Sequence, residues 1–142
     1  MASLVFSHVT LNCKDMNKVE RFYTKYFGFK RARVIPLGNT KIVFLKCGNV
    51  YLELFDAEGD RPAALPTADG YKFPGYRHLA FQVGNVDAKL AEIGKDAEVS
   101  LGPLDFGDFI PGWYSAWITD PEGNIVEISQ GYKDQDNPPA LE

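Results

Sequence analysis

Four side chains in this sequence have the types and spacing to do chemistry together. His8 and His78 each stand at the start of an alternating run, Val9-Thr10-Leu11-Asn12-Cys13 after the first and Leu79-Ala80-Phe81-Gln82-Val83 after the second. Glu53 and Glu127 each interrupt a strongly apolar stretch, Val50–Phe55 and Ile125–Ser129. The two histidines are separated by nearly the same length of chain as the two glutamates, so one His-plus-Glu unit is used twice. A lone strand histidine is more often scaffold than ligand, and a lone glutamate often faces water; the repetition argues against both. A carboxylate among apolar neighbours is costly unless exposed, paired or coordinating a cation. Two imidazoles and two carboxylates suit a divalent ion such as Ni, Co, Zn, Mn or Fe. His8, Glu53, His78 and Glu127 are therefore the candidate metal ligands of a shared centre. Four protein ligands leave one or two positions on a five- or six-coordinate ion, where a substrate oxygen would be polarised. Glu53 or Glu127 is the candidate base for taking a proton from carbon.

The elements that must position these groups follow from periodicity. Successive strand side chains point to opposite faces. Met1–Cys13 reads as a strand with Leu4, Phe6, His8, Thr10 and Asn12 on one face and Val5, Val9 and Leu11 on the other. Cys13 falls on the face opposite His8, which removes it from the ligand set. Asp15 is an N-cap for a helix over Met16–Phe27, whose apolar residues recur every three or four positions, and Gly28 is its left-handed stop. Lys30–Leu37, Lys41–Cys47 and Val50–Phe55 read as three strands joined by compact turns at Gly38-Asn39 and Gly48-Asn49. The second copy is looser: a helix from Val86 to about Lys95, a strand over Val99–Leu104, another over Trp113–Thr119, and a last strand Ile125–Gln130 after the Asp120-Pro121-Glu122-Gly123-Asn124 turn.

Module one thus runs from about 4 to 55 and module two from about 76 to 130. Residues 56–75 hold three prolines and three glycines and read as a connector, with a functional lid as the alternative. Residues 131–142 are a polar tail. At 142 residues, 45% apolar and 24% charged, the chain fits one compact domain. A net charge of −4 offers no broad basic surface for nucleic acid or anionic lipid. Neither a membrane span nor a signal peptide is legible, and the two cysteines have no metal-site spacing, so a cytosolic protein is expected. Phe6, Phe44, Tyr51, Phe55, Trp113 and Trp117 fall on the ligand-facing parity and suggest a partly apolar pocket, or equally an ordinary core.

The His8 strand, the Asp15…Phe22-Tyr23…Phe27-Gly28-Phe29 helix and turn, Arg77-His78-Leu79-Ala80-Phe81, and Asp120–Asn124 running into Glu127 together resemble the vicinal oxygen chelate superfamily, the glyoxalase/bleomycin-resistance/dioxygenase group. The resemblance covers about residues 4 to 130. It implies an α+β fold of two βαβββ modules whose curved mixed sheets enclose a metal cavity. His8, Glu53, His78 and Glu127 match the His/Gln, Glu, His, Glu pattern of glyoxalase I within that group. The implied activity is that of a metal-dependent lyase or isomerase acting on a small-molecule substrate with vicinal oxygens. Iron-dependent extradiol-type dioxygenases, with two histidines and one glutamate, match less well, and antibiotic-binding members usually lack the ligand set. Arg31, Arg33 and Arg77 are candidates by charge for an anionic substrate group. Modules of this group pair within a chain or between chains; a homodimer is expected, with metal sites at or near its interface.

Overall fold

The structure, a computed structural model, describes residues 3–142 and divides into two compact units. Unit one comprises the chain up to Pro66 together with Thr119–Asn124. Its elements are β1 (His8–Cys13), α1 (Met16–Tyr26), β2 (Lys30–Leu37), β3 (Thr40–Cys47) and β4 (Val50–Asp56), in a sheet of order β1-β4-β3-β2. β1 lies parallel to β4 and the other neighbours are antiparallel, the pattern of a strand-helix crossover followed by a meander.

Helix α1 starts where the Asp15 carboxylate accepts the Lys18 N–H, satisfying one of the orphan donors of the first turn. It ends at Tyr26 with Phe27 as its C-cap, and Gly28 then takes φ +72°, a conformation that glycine tolerates without a Cβ clash. Met16, Val19, Phe22, Tyr23 and Tyr26 form its buried stripe, which packs towards β4. Leu52 and Leu54 of β4 are buried, so alternation leaves Tyr51, Glu53 and Phe55 on the other face. Each fully buried side chain of this size stabilises the fold by about 1.5–3 kcal/mol, and that burial fixes which way Glu53 points.

Unit two comprises Thr67–Ile118 and Ile125–Glu142. Its elements are β5 (Leu79–Gln82), α2 (Val86–Ile93) with a 3-10 turn at Gly94–Asp96, β6 (Val99–Asp105), β7 (Tyr114–Thr119) and β8 (Ile125–Gln130), with sheet order β5-β8-β7-β6. β5 lies parallel to β8, as β1 does to β4. Asn85 caps α2, and α2 packs towards β8. Val126 and Ile128 are buried, and Glu127 and Ser129 take the opposite face. The two βαβββ modules read from the sequence are present.

Three boundaries differ from the sequence reading. The first strand begins at His8 rather than near Met1; residues 1–2 lie outside the described residues. β1 pairs with β4 alone, His8 lying opposite Tyr51, and β4 itself begins at Val50. Leu4–Phe6 therefore have no strand to pair with, and all three side chains are exposed. His78 likewise precedes β5 rather than lying within it, because the β5–β8 ladder opens at Leu79 opposite Val126. The second helix gives way to the 3-10 turn at Gly94, which takes φ +55°.

Candidate functional site

In unit one, His8 and Glu53 converge across the β1–β4 pair. His8 Nε2 lies 3.3 Å from Glu53 Oε1. The same oxygen accepts the Thr10 hydroxyl at 2.8 Å, Thr10 being opposite Glu53 in register. His8 Nδ1 lies 2.8 Å from the Ser7 hydroxyl, which can donate or accept and so leaves the tautomer open. The ring packs edge-on against Phe44 at 5.9 Å, and Phe44 in turn against Tyr51.

Unit two repeats the pair with a firmer frame. His78 Nε2 lies 2.9 Å from Glu127 Oε1. His78 Nδ1 donates to the backbone carbonyl of Asp69 at 2.6 Å. A carbonyl only accepts, so the proton is on Nδ1, and in the neutral ring Nε2 presents a lone pair. That lone pair faces a carboxylate oxygen, and the contact is repulsive unless a positive charge, a proton or a metal ion, lies between them. Orientation of a ligating imidazole by a carbonyl on its far nitrogen is the usual support of a metal site. The donor chemistry of each pair fits a divalent cation.

Glu127 has its second oxygen fixed as well. Ser115 Oγ donates to Oε2 at 2.9 Å, Ser129 Oγ lies 2.8 Å from Ser115 Oγ, and Trp113 Nε1 donates to Ser129 Oγ at 3.2 Å. An ionised carboxylate only accepts, an indole N–H only donates and each hydroxyl has one proton, so Ser115 spends its proton on Glu127 and the polarity follows: Trp113 to Ser129 to Ser115 to Glu127. Ser115 is fully buried. None of these supports was legible as such. Asp69 acts through its main chain, and Ser115 and Ser129 are small residues in apolar strands.

The loop that delivers the Asp69 carbonyl is held by its own contacts. Asp69 accepts from Lys72 and, at 3.2 Å, from Arg77. The Lys72 hydrogen bond holds the Asp69 carboxyl below the usual carboxylate range. Ser100 donates to the Ala68 carbonyl at 2.7 Å. Gly70 takes φ +118°, and a Cβ there would lie 2.0 Å from the Arg77 carbonyl oxygen. Glycine is required for the loop to approach the backbone next to His78. The signal in the sequence was Asp69-Gly70, within the stretch read as connector, followed by Arg77-His78 at the start of module two.

Among the described residues no cluster of three or more His, Cys, Asp or Glu side chains is found; the four candidates stand as two pairs. Cys13 is buried away from His8, and burial pushes its thiol up to about 12, so it stays protonated. Of the three candidate arginines, Arg31 is engaged by Glu20 and Arg77 by Asp69, while Arg33 has no ion pair among the described residues. Unit one also contains a cleft of about 1110 Å³, lined by Thr10, Asn12, Phe55 and the 57–62 loop. Thr10 links that cleft to Glu53. The predicted aromatic lining is divided: Phe44 and Trp117 lie against the two histidines, whereas Phe6 is exposed.

A family model described as the Glyoxalase/Bleomycin resistance protein/Dioxygenase superfamily matches residues 5–128. The chain belongs to this superfamily. It is similar to the mitochondrial methylmalonyl-CoA epimerase of Mus musculus, 27% identical over 97 residues, covering 67% of this chain and 54% of the epimerase. The chain thus spans about half the length of that relative. A virulence protein of Salmonella typhimurium is 27% identical over 127 residues, covering 87% of this chain and 81% of that one. The crystal structure of lactoylglutathione lyase from Agrobacterium tumefaciens matches with a TM-score of 0.60 and 27% identity, over 92% of this chain and 96% of that one. No helix among the described residues is long and apolar enough to cross a membrane.

Proposed function

We propose that this superfamily member is a divalent-metal-dependent lyase or isomerase of glyoxalase type, acting on a small molecule with vicinal oxygens. His8, Glu53, His78 and Glu127 are its proposed metal ligands. The observation that carries the reading is the facing of imidazole Nε2 and carboxylate Oε1 in both modules, at 3.3 and 2.9 Å. In module two the tautomer leaves that arrangement in need of a positive charge between the two atoms, which a divalent ion would supply. The bound ion, whether Ni, Co, Zn, Mn or Fe, would act as a Lewis acid on the substrate oxygens.

The chain's own groups would do the rest. Asp69 and the Trp113–Ser129–Ser115 chain hold His78 and Glu127 in place, so orientation is set before substrate arrives. Glu53 or Glu127 takes a proton from the carbon beside the polarised oxygen and returns it to the neighbouring carbon. Arg33 and, at the cleft, Lys41 offer partners for an anionic portion of the substrate. The two cysteines are unpaired, as in a reducing compartment, and a cytosolic homodimer completes the proposal.

Anaerobic reconstitution with each metal, followed by elemental analysis and turnover of vicinal-oxygen substrates, tests the reading. Stoichiometric metal with oxygen-independent turnover supports it. Oxygen uptake would instead identify a dioxygenase, and ligand binding by metal-free protein without turnover would identify a binding protein. Sedimentation velocity tests the homodimer, and a monomer with full metal occupancy would overturn that part.

A further inference from the structure

Module two contains two tryptophans, and their indole N–H groups have different fates. Trp113 donates to Ser129 and heads the chain that ends on Glu127. Trp117 Nε1 is buried and has no hydrogen-bond partner among the described residues. A buried, unsatisfied donor is expensive, and native structures keep few of them. Packing alone does not explain this one, since a phenylalanine would fill much of the same space with no polar atom to satisfy.

Its position gives the explanation. Ser115 and Trp117 are two residues apart on β7 and therefore share a face, the face on which Ser115 meets Glu127. The Trp117 ring stands edge-on to the His78 ring at 6.3 Å, with Phe106 edge-on to it at 6.2 Å. The neighbouring polar atoms are accounted for: His78 Nδ1 on the Asp69 carbonyl, Glu127 Oε2 on Ser115, and Ser129 on Trp113. The indole ring that adjoins His78 thus has an uncommitted donor.

We propose that the Trp117 indole N–H is a specificity donor of the His78–Glu127 site, reserved for an acceptor oxygen of the bound ligand. The ligand class is a small carbonyl, carboxylate or enolate compound whose other oxygens approach the pair. This inference rests on the metal-dependent reading above. It adds a residue that touches ligand and not metal. A hydrocarbon or cationic ligand cannot use the donor, whereas an oxygen acceptor relieves the unsatisfied N–H on binding. A site built around such a group discriminates strongly against analogues lacking the acceptor.

The test uses protein loaded with Zn²⁺, a diamagnetic d10 ion of the candidate set, with oxalate as the probe carrying two vicinal oxygens. The chain has two tryptophans, so comparison with Trp117→Phe assigns each indole proton resonance. Oxalate should move the Trp117 indole proton downfield and leave Trp113 nearly unchanged. Trp117→Phe should weaken oxalate by roughly ten- to a hundredfold, as expected for losing one hydrogen bond to a charged group, and leave Zn²⁺ affinity unchanged. Should that variant misfold, the resonance shift in the wild-type protein still decides the matter. Zn²⁺ binding with an unmoved Trp117 resonance at millimolar oxalate overturns the role of Trp117 and spares the metal reading. Absence of Zn²⁺ binding overturns both.

Discussion

The two His–Glu pairs use the same atoms and differ in what holds them. In module one the His8 side chain is 38% exposed, and its far nitrogen meets a neighbouring serine hydroxyl of either polarity. In module two the His78 side chain is 18% exposed and its far nitrogen meets a main-chain carbonyl. Glu53 accepts one hydroxyl from the adjacent strand, whereas Glu127 terminates a buried chain of three donors. A hydroxyl lets a ring change tautomer without breaking a hydrogen bond; a carbonyl does not. One pair is therefore adaptable and the other fixed, which a duplicated sequence motif does not disclose.

The most severe way to challenge this contrast is to remove each imidazole. His78→Ala should lower Co²⁺ affinity by ~100-fold or more, at or beyond the upper end of what loss of a supporting shell produces. His8→Ala should lower it by less, with both variants keeping the wild-type circular dichroism. Equal losses by titration calorimetry would break the asymmetry.

A second experiment addresses the turn that leads into β8. Asp120 is buried there and accepts from Tyr23 at 2.7 Å, from Asn124 at 3.0 Å through its amide and its backbone, and from Glu122. Burial raises its pKa above the ordinary carboxylate value even though these donors oppose the shift. Stability contributed by the protonated form is thus complete below the ordinary value and is lost as pH rises through the raised one. The Tyr23 hydroxyl supports the charged form. Tyr23→Phe should destabilise the protein by about 2 kcal/mol at neutral pH, and by clearly less in mild acid, as urea unfolding at the two pH values would measure. An equal cost at both would mean that the carboxyl does not titrate in that interval.

The mildest test compares the hydroxyls behind the two glutamates. Ser115→Ala removes a fully buried donor and should weaken Co²⁺ by about tenfold, the lower end for a supporting group. Thr10→Ala removes an exposed donor and should change affinity little. Reversal of that order would mean that the buried chain supports the strand and not the carboxylate.

How much of this the sequence disclosed depends on whether a residue acts through its side-chain pattern. Leu52 and Leu54 flanking Glu53, and Val126 and Ile128 flanking Glu127, alternate with period two, so the strands and the facing of both glutamates were readable. The Asp15 cap and the Gly28 stop were readable because capping is local chemistry. The length of the first strand was not, since Leu4–Phe6 carry a strand pattern but end beyond the start of β4. Nor was the Asp69 carbonyl, because a main-chain atom has no residue type to recognise, and its delivery depends on an approach to Arg77 that only the folded chain displays. The Trp113–Ser129–Ser115 polarity required knowing three neighbours at once.

The turn after β7 has a consequence for anyone who would split the chain. Thr119–Asn124 clusters with unit one, although the strands on either side belong to unit two. Its contacts there are extensive: Tyr23 on Asp120, the Asp15 backbone N–H on the Glu122 carboxylate, and Arg61 on the Glu122 carbonyl and the Asn124 side chain. Scission near Pro66, where the repeat invites it, would leave the second fragment with a hairpin tip whose partners are all on the first. The halves should therefore be recovered by co-expression as complementing fragments, with this tip as the handle by which one recruits the other, and a circular permutant that keeps residues 114–130 unbroken is the safer way to re-order the repeat.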